Sequence, residues 1–336
     1  MDIGRVIAKA LSLTPVRAYL RYSERRGAML ADSVTYRALF SIFAGVLLGF
    51  SIAALWLAGN PDAWQALIDA VNRAVPGLVG ENGLIKLDDI QAPAGLSIAG
   101  ILAFVGLIGA AIGAIGSLRT AIRAICDETT DDVPFWLVML RNLALAVGVG
   151  GALLASAVAT MLGTAGLAMV AGWLGLGAHD PLITWGSRIL AIVLTFVLDA
   201  VAIAVVFRVL SGVKASAKAL WIGSLLGAVG LTVLQQLSGL FVGGATSNPL
   251  LATFASLIAL LLWINLSSQV ILLACSYIYT LVREDADRVR ERYGAKTFAE
   301  RRVQQAENSV ATASTELNKA RTALAEERDA SNAAAH

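Results

Sequence analysis

Asp199 stands inside an apolar run from Trp185 to Phe207. A carboxylate there costs several kcal/mol unless it meets a partner or water, so it marks a polar passage or a buried hydrogen bond that fixes helix packing. Arg208, nine residues on, lies about 13 Å away along a helix, too far to pair directly. The partner must come from another segment. Counted by depth, Asn265 falls at the same level and Gln269 one turn beyond it, while Gln235, Gln236 and Ser238 bring further polar groups towards the opposite face. Asp199, Asn265, Gln269 and Gln235 are therefore the candidate intramembrane polar site. Arg119, Arg141 and Arg208 sit where apolar runs end. They are candidates for a basic mouth that an anionic solute or lipid headgroup would approach, or they mark the interface by snorkelling.

Covalent and metal chemistry have little to work with. The two histidines are His179 and His336, on opposite sides of the expected membrane, so no histidine cluster forms. Cys126 and Cys275 fall in a loop and in a span, where a disulfide or zinc site is not expected, and neither has a base beside it. No acidic cluster adjoins a basic groove for nucleic acid, and there is no nucleotide-binding loop. The expectation is a chain that is not an enzyme and uses no cofactor.

The elements that must position the polar site are membrane helices. Hydrophobic residues make up 57% of the chain and charged ones 15%, far from a soluble balance. About 20 apolar residues cross a bilayer as a helix. Six stretches qualify: Ala38 to Ala58, Ser97 to Leu118, Leu137 to Gly163, Trp185 to Phe207, Ala219 to Val242 and Leu250 to Leu281. A soluble bundle would show a polar face on each helix, yet Ala99 to Gly116 carries no charge. Alternating segments of a barrel are missing. The fold expected is all-α and polytopic, with six transmembrane helices.

Lysine and arginine set the direction. All fall on one side of this arrangement except Arg73, Lys86 and Arg188, which places the amino terminus, the even loops and the carboxyl terminus in the cytoplasm. Residues 1–37 form a basic, amphipathic segment that a signal peptide does not resemble. Arg17, Arg21 and Arg25 share one helix face there. They suit a surface helix on anionic headgroups, or a plain solvated segment. The first external loop, Gly59 to Leu96, holds Trp64, Leu67, Ile68, Val71 and Val75 at helical spacing between Pro61 and Pro76. An amphipathic helix too short to span is expected, followed by acidic Glu81, Asp88 and Asp89. Residues 38–282 are the membrane domain. The tail, 283–336, turns charged, with Val303, Val310, Leu317 and Leu324 every seven residues and Ala306, Ala313 and Ala320 between them. That seam is weak, compatible with a single helical or disordered tail or with a coiled coil joining subunits or partners. Gly109 with Gly113, and Gly223 with Gly227, have small-xxx-small spacing for close helix contact.

The segment Asp32-Ser33-Val34-Thr35-Tyr36-Arg37-Ala38-Leu39-Phe40-Ser41-Ile42-Phe43 resembles the opening signature of the YihY/BrkB family. Phe207-Arg208-Val209-Leu210 is similar to its exit from the fourth span, and Leu262 to Gln269 to its sixth. The chain departs at Ala44, where members commonly carry proline, and at Ala274-Cys275-Ser276, where many carry Gly-Ala-Glu. The resemblance implies a bacterial inner-membrane protein of six spans, from a family formerly mislabelled ribonuclease BN and linked to serum resistance and envelope lipid traffic. Expected partners are membrane lipids, a lipid, amphiphile or anionic ligand, and a homo-oligomer or envelope protein. The alternative role is a non-transporting scaffold that recruits partners through its termini.

Overall fold

The computed structural model describes residues 3–57, 98–128, 136–145, 181–243, 249–287 and 297–334, with isolated positions beside them. Among these the regular elements are all α-helices: α1 (Ile3–Leu11), α2 (Thr14–Glu24), α3 (Gly27–Leu57), α4 (Ile98–Ile125), the short α5 (Trp136–Leu145), α6 (Pro181–Leu210), α7 (Ala217–Gly243), α8 (Pro249–Ala286) and α9 (Phe298–Ala334). Four stretches of described helix are long and apolar enough to cross a membrane: Ile108–Ile125, Ala191–Leu210, Ala217–Leu237 and Leu257–Ala286. The first expected span is helical within α3 as far as Leu57, and the third begins as α5. The loop helix expected around Trp64 to Val75, the acidic Glu81, Asp88 and Asp89, most of the rest of the third span, His179 and His336 lie outside the described residues.

The helices overrun the apolar runs. α4 continues past Leu118 to Ile125, and α8 reaches 38 residues, about 57 Å at 1.5 Å per residue, well beyond a hydrocarbon core of about 30 Å. Local chemistry sets several ends. Pro15 lies in the first turn of α2, where its missing N–H is not needed. Arg26 then takes a left-handed conformation, φ 54°, and α3 starts at once. Gly27 at that elbow has no alternative: a Cβ there would stand 2.2 Å from the Tyr22 ring. Ser216 caps α7, accepting from the Ala219 N–H at 3.2 Å. Thr297 and Glu300 form a reciprocal capping box at α9, both bonds 3.1 Å.

α3 packs against α4 and α8, and α7 lies between α6 and α8. The α7 glycines make the second contact close. Cβ atoms built on Gly223, Gly227 and Gly230 would meet Ile278 at 2.3 Å, Ala274 at 2.7 Å and Val270 at 2.8 Å. The Gly223–Gly227 pair thus serves packing inside the bundle. Gly109 has no described atom near its Cβ position, and Gly113 faces the Arg37 guanidinium at 3.6 Å. The apolar core sits at one end of the bundle, where Ile122, Ile125, Phe207, Leu210, Leu272 and Ile278 are fully enclosed. α2 crosses α8 at that same end, with the Ser276 hydroxyl donating to the Ala18 carbonyl at 2.8 Å.

Candidate functional site

The four expected polar residues form two hydrogen-bonded pairs. Between α6 and α7, the Gln235 amide donates to the Asp199 carboxylate at 3.1 Å. Within α8, on its side towards α3, Gln269 donates to the Asn265 side-chain oxygen at 2.6 Å. Asn265 in turn donates to Asp32 at 2.8 Å and to the Thr35 hydroxyl at 3.3 Å. The α7–α8 register set by Gly223, Gly227 and Gly230 continues to bring Gln235 level with Asn265. The two pairs therefore lie at one depth on different seams. Beside the second, Ser33 and Ser117 hydroxyls are 3.1 Å apart between α3 and α4. Asp32 and Thr35 are the members of this group that depth counting did not single out. Their signal was an aspartate and a threonine three residues apart, one helix turn, at the entry of the first apolar run.

The three arginines expected at a mouth are placed differently from one another. Arg119 is turned into the packed interior at 4% exposure, so it belongs to no exposed rim. Arg141 and Arg208 are exposed, and Arg208 donates to the Ala215 carbonyl at 3.4 Å, bracing the turn between α6 and α7.

A second polar group, built from ion pairs, closes the core end. Arg17 is 3% exposed and pairs with Glu284 of α8, whose carboxylate also accepts from the Thr14 hydroxyl at 2.8 Å. Arg21 pairs with Asp127 at 2.9 Å and lies over the Tyr279 ring, 4.8 Å from its centroid. Arg25 pairs with the same carboxylate. Arg301 of α9 pairs with Glu24 at 2.8 Å and also donates to the Arg17 carbonyl at 3.4 Å. A small cleft runs between α2 and the start of α9, lined by Arg17, Arg21, Arg25, Asp127, Arg301 and Asn308. The arginine face of α2, read as turned to headgroups or solvent, is instead turned onto carboxylates of the chain itself. The spacing of the arginines was legible. Their partners were not, because Asp127 and Glu284 lie 106 and 267 residues away.

Asp127 owes its position to a helix end. It takes φ 58° just past α4, and the Glu128 N–H bonds to the Arg123 carbonyl at 2.9 Å. This is a Schellman closure with aspartate at the left-handed position usually held by glycine. Aspartate tolerates that region better than most residues. Neighbouring Cys126 is enclosed, and burial, then the nearby Cys275, pushes its thiol well above the usual range. Burial and then the Asp32 charge likewise raise the Tyr22 hydroxyl.

A protein family described as virulence factor BrkB matches residues 18–297. Inner membrane protein YhjD of Escherichia coli (strain K12) is 23% identical to this chain over 282 residues, covering 82% of each. No solved structure matches.

Proposed function

The chain belongs to the virulence factor BrkB family, and from that premise we propose that it is a six-span bacterial inner-membrane protein that handles a lipid, amphiphile or anionic solute within the bilayer. The observation that carries this reading is the polar level. Asp199 with Gln235, and Asn265 with Gln269 and Asp32, are hydrogen-bonded at one depth of otherwise apolar helices. Polar groups inside a membrane gather where a polar ligand, ion or water must be met. Both termini lie in the cytoplasm by the lysine and arginine distribution. α2 and the α2–α9 cleft then face the cytoplasm, on the side where the enclosed apolar core lies among the described residues.

Purified protein reconstituted in liposomes, with a headgroup-accessibility assay for several lipid classes, tests the reading. Movement of one class, lost in Asp199→Leu and Asn265→Leu and retained in a surface variant of α9, is the expected result. No movement for any class, from protein that remains folded, overturns it.

A second reading has its own observation. The solid core end, strapped by α2 and continued by the long exposed α9, suits a scaffold that holds cytoplasmic partners and moves nothing. In that case Asp199→Asn, which can keep a hydrogen bond to Gln235, leaves abundance and every transport-linked phenotype unchanged.

A further inference from the structure

We propose that α9 pairs in parallel and in register with the α9 of a second copy of this chain, forming a short two-stranded coiled coil. The starting point is how α9 is turned. The residues it presents to the rest of the protein are polar: Arg301, Gln304, Gln305 and Asn308 line the cleft beside α2. Its apolar residues point the other way. Val303, Val310, Leu317 and Leu324 are 59%, 69%, 51% and 47% exposed. At about 100° per residue, this stripe lies roughly opposite the cleft-facing side. A helix docked only on its own protein would turn its apolar stripe inward.

Period and charge name the occupant. The stripe recurs every seven residues, with Ala299, Ala306, Ala313 and Ala320 filling the alternate seam positions. Val303 and Val310 supply the β-branched residue that two parallel strands favour at the first seam position, while Leu317 and Leu324 add apolar area without that preference. In a parallel pair, the residue just before each such position meets, on the other helix, the residue five further along. Of the four couples so defined, Ser309 with Ser314 and Ala323 with Arg328 hold no charge pair, which leaves Arg302 with Glu307 and Glu316 with Arg321. Both join opposite charges, and two-fold symmetry repeats each of them. The flanks of this one helix therefore match a second copy of itself. The alanines bury little area, so the pairing is weak between free helices. Two chains held in one membrane raise their effective concentration and make a weak seam sufficient. The cleft-facing side stays on its own subunit throughout, so pairing needs no release of Arg301 from Glu24.

Disulfide trapping in membranes containing the full-length protein tests this. Single cysteines are placed at Leu317→Cys and Ala313→Cys on the seam and at Thr315→Cys on the far side. Native Cys126 and Cys275 are buried and contribute little background. Oxidation is expected to give at least about five times more dimer from the two seam positions than from Thr315→Cys, as the geometry of facing seam residues requires. In the Leu317→Cys background, Glu316→Arg should lower the dimer yield strongly by setting like charges against each other, and adding Arg321→Glu should restore it. The rescue distinguishes pairing from a tail that has simply unfolded. Equal yields at all three positions, a dimer indifferent to Glu316→Arg, or trapping of a different protein instead of a second copy overturns the proposal.

Discussion

Asp127 shows how much one residue can be asked to do. Its backbone closes the end of α4 in a conformation glycine would adopt more easily, and its carboxylate holds two arginines of α2. Asp127→Asn keeps the tolerance for that conformation and removes the charge. A loss of about 1–3 kcal/mol is expected, the cost of leaving largely buried Arg21 without an ionised acceptor. Melting in detergent would measure it. Asp127→Gly should relax the turn yet remain less stable than the wild type, because the charge is lost all the same. Cys126, one residue before, is expected to resist thiol reagents from pH 7 to 9 in the folded protein and to react after denaturation. The direction follows from burial, which keeps the folded thiol protonated. The unfolded thiol ionises first as pH rises. Its burial therefore favours the fold fully below about pH 8.5 and progressively less above it. Reaction rates with a membrane-permeable maleimide across that range would check the first part.

Among the helices, the features read from sequence survived according to how local they were. A run of apolar residues announces a membrane helix because lipid leaves the backbone no other choice, and the four spans found among the described residues each overlap an expected one. Hydropathy could not mark where those helices stop. The ends are set by the Asp127 closure, the Ser216 cap and the contact of α2 with α8, none of which is apolar. Asp199 could be picked out because it is conspicuous against its surroundings, and Gln235 was among the polar residues weighed with it. Asp32 sat outside its apolar run and was noted only within the family signature. The two glycine pairs had the same spacing, yet only Gly223 and Gly227 press against α8. Gly223→Val should cost about 1–3 kcal/mol by overpacking Ile278. A lowered melting temperature, with helix content retained by circular dichroism, is the expected signature.

Taken whole, the molecule has a closed end where α2, α4, α8 and α9 meet through charges laid over an apolar core. Arg17 is the deepest of those charges. Arg17→Ala strands the Glu284 carboxylate, a change expected to cost about 3–5 kcal/mol. It should also raise maleimide labelling of Cys275, one residue before the Ser276 that holds α2. Replacing both partners, Arg17→Met with Glu284→Leu, should recover most of the stability. Labelling that stays at the wild-type rate in Arg17→Ala would show that α2 holds its place without this pair. The same end imposes an order on how the protein is made. Arg17 leaves the ribosome 267 residues before Glu284, and at about 5–20 residues per second that interval is on the order of 13–53 s. For that time Arg17 has no carboxylate from α8 to meet, although Arg21 and Arg25 can already reach Asp127, and a chain cut short before residue 284 would never supply one. A basic helix fastened only at Asp127 is thus the mark of an unfinished molecule, and the settling of Arg17 onto α8 records that this helix has arrived.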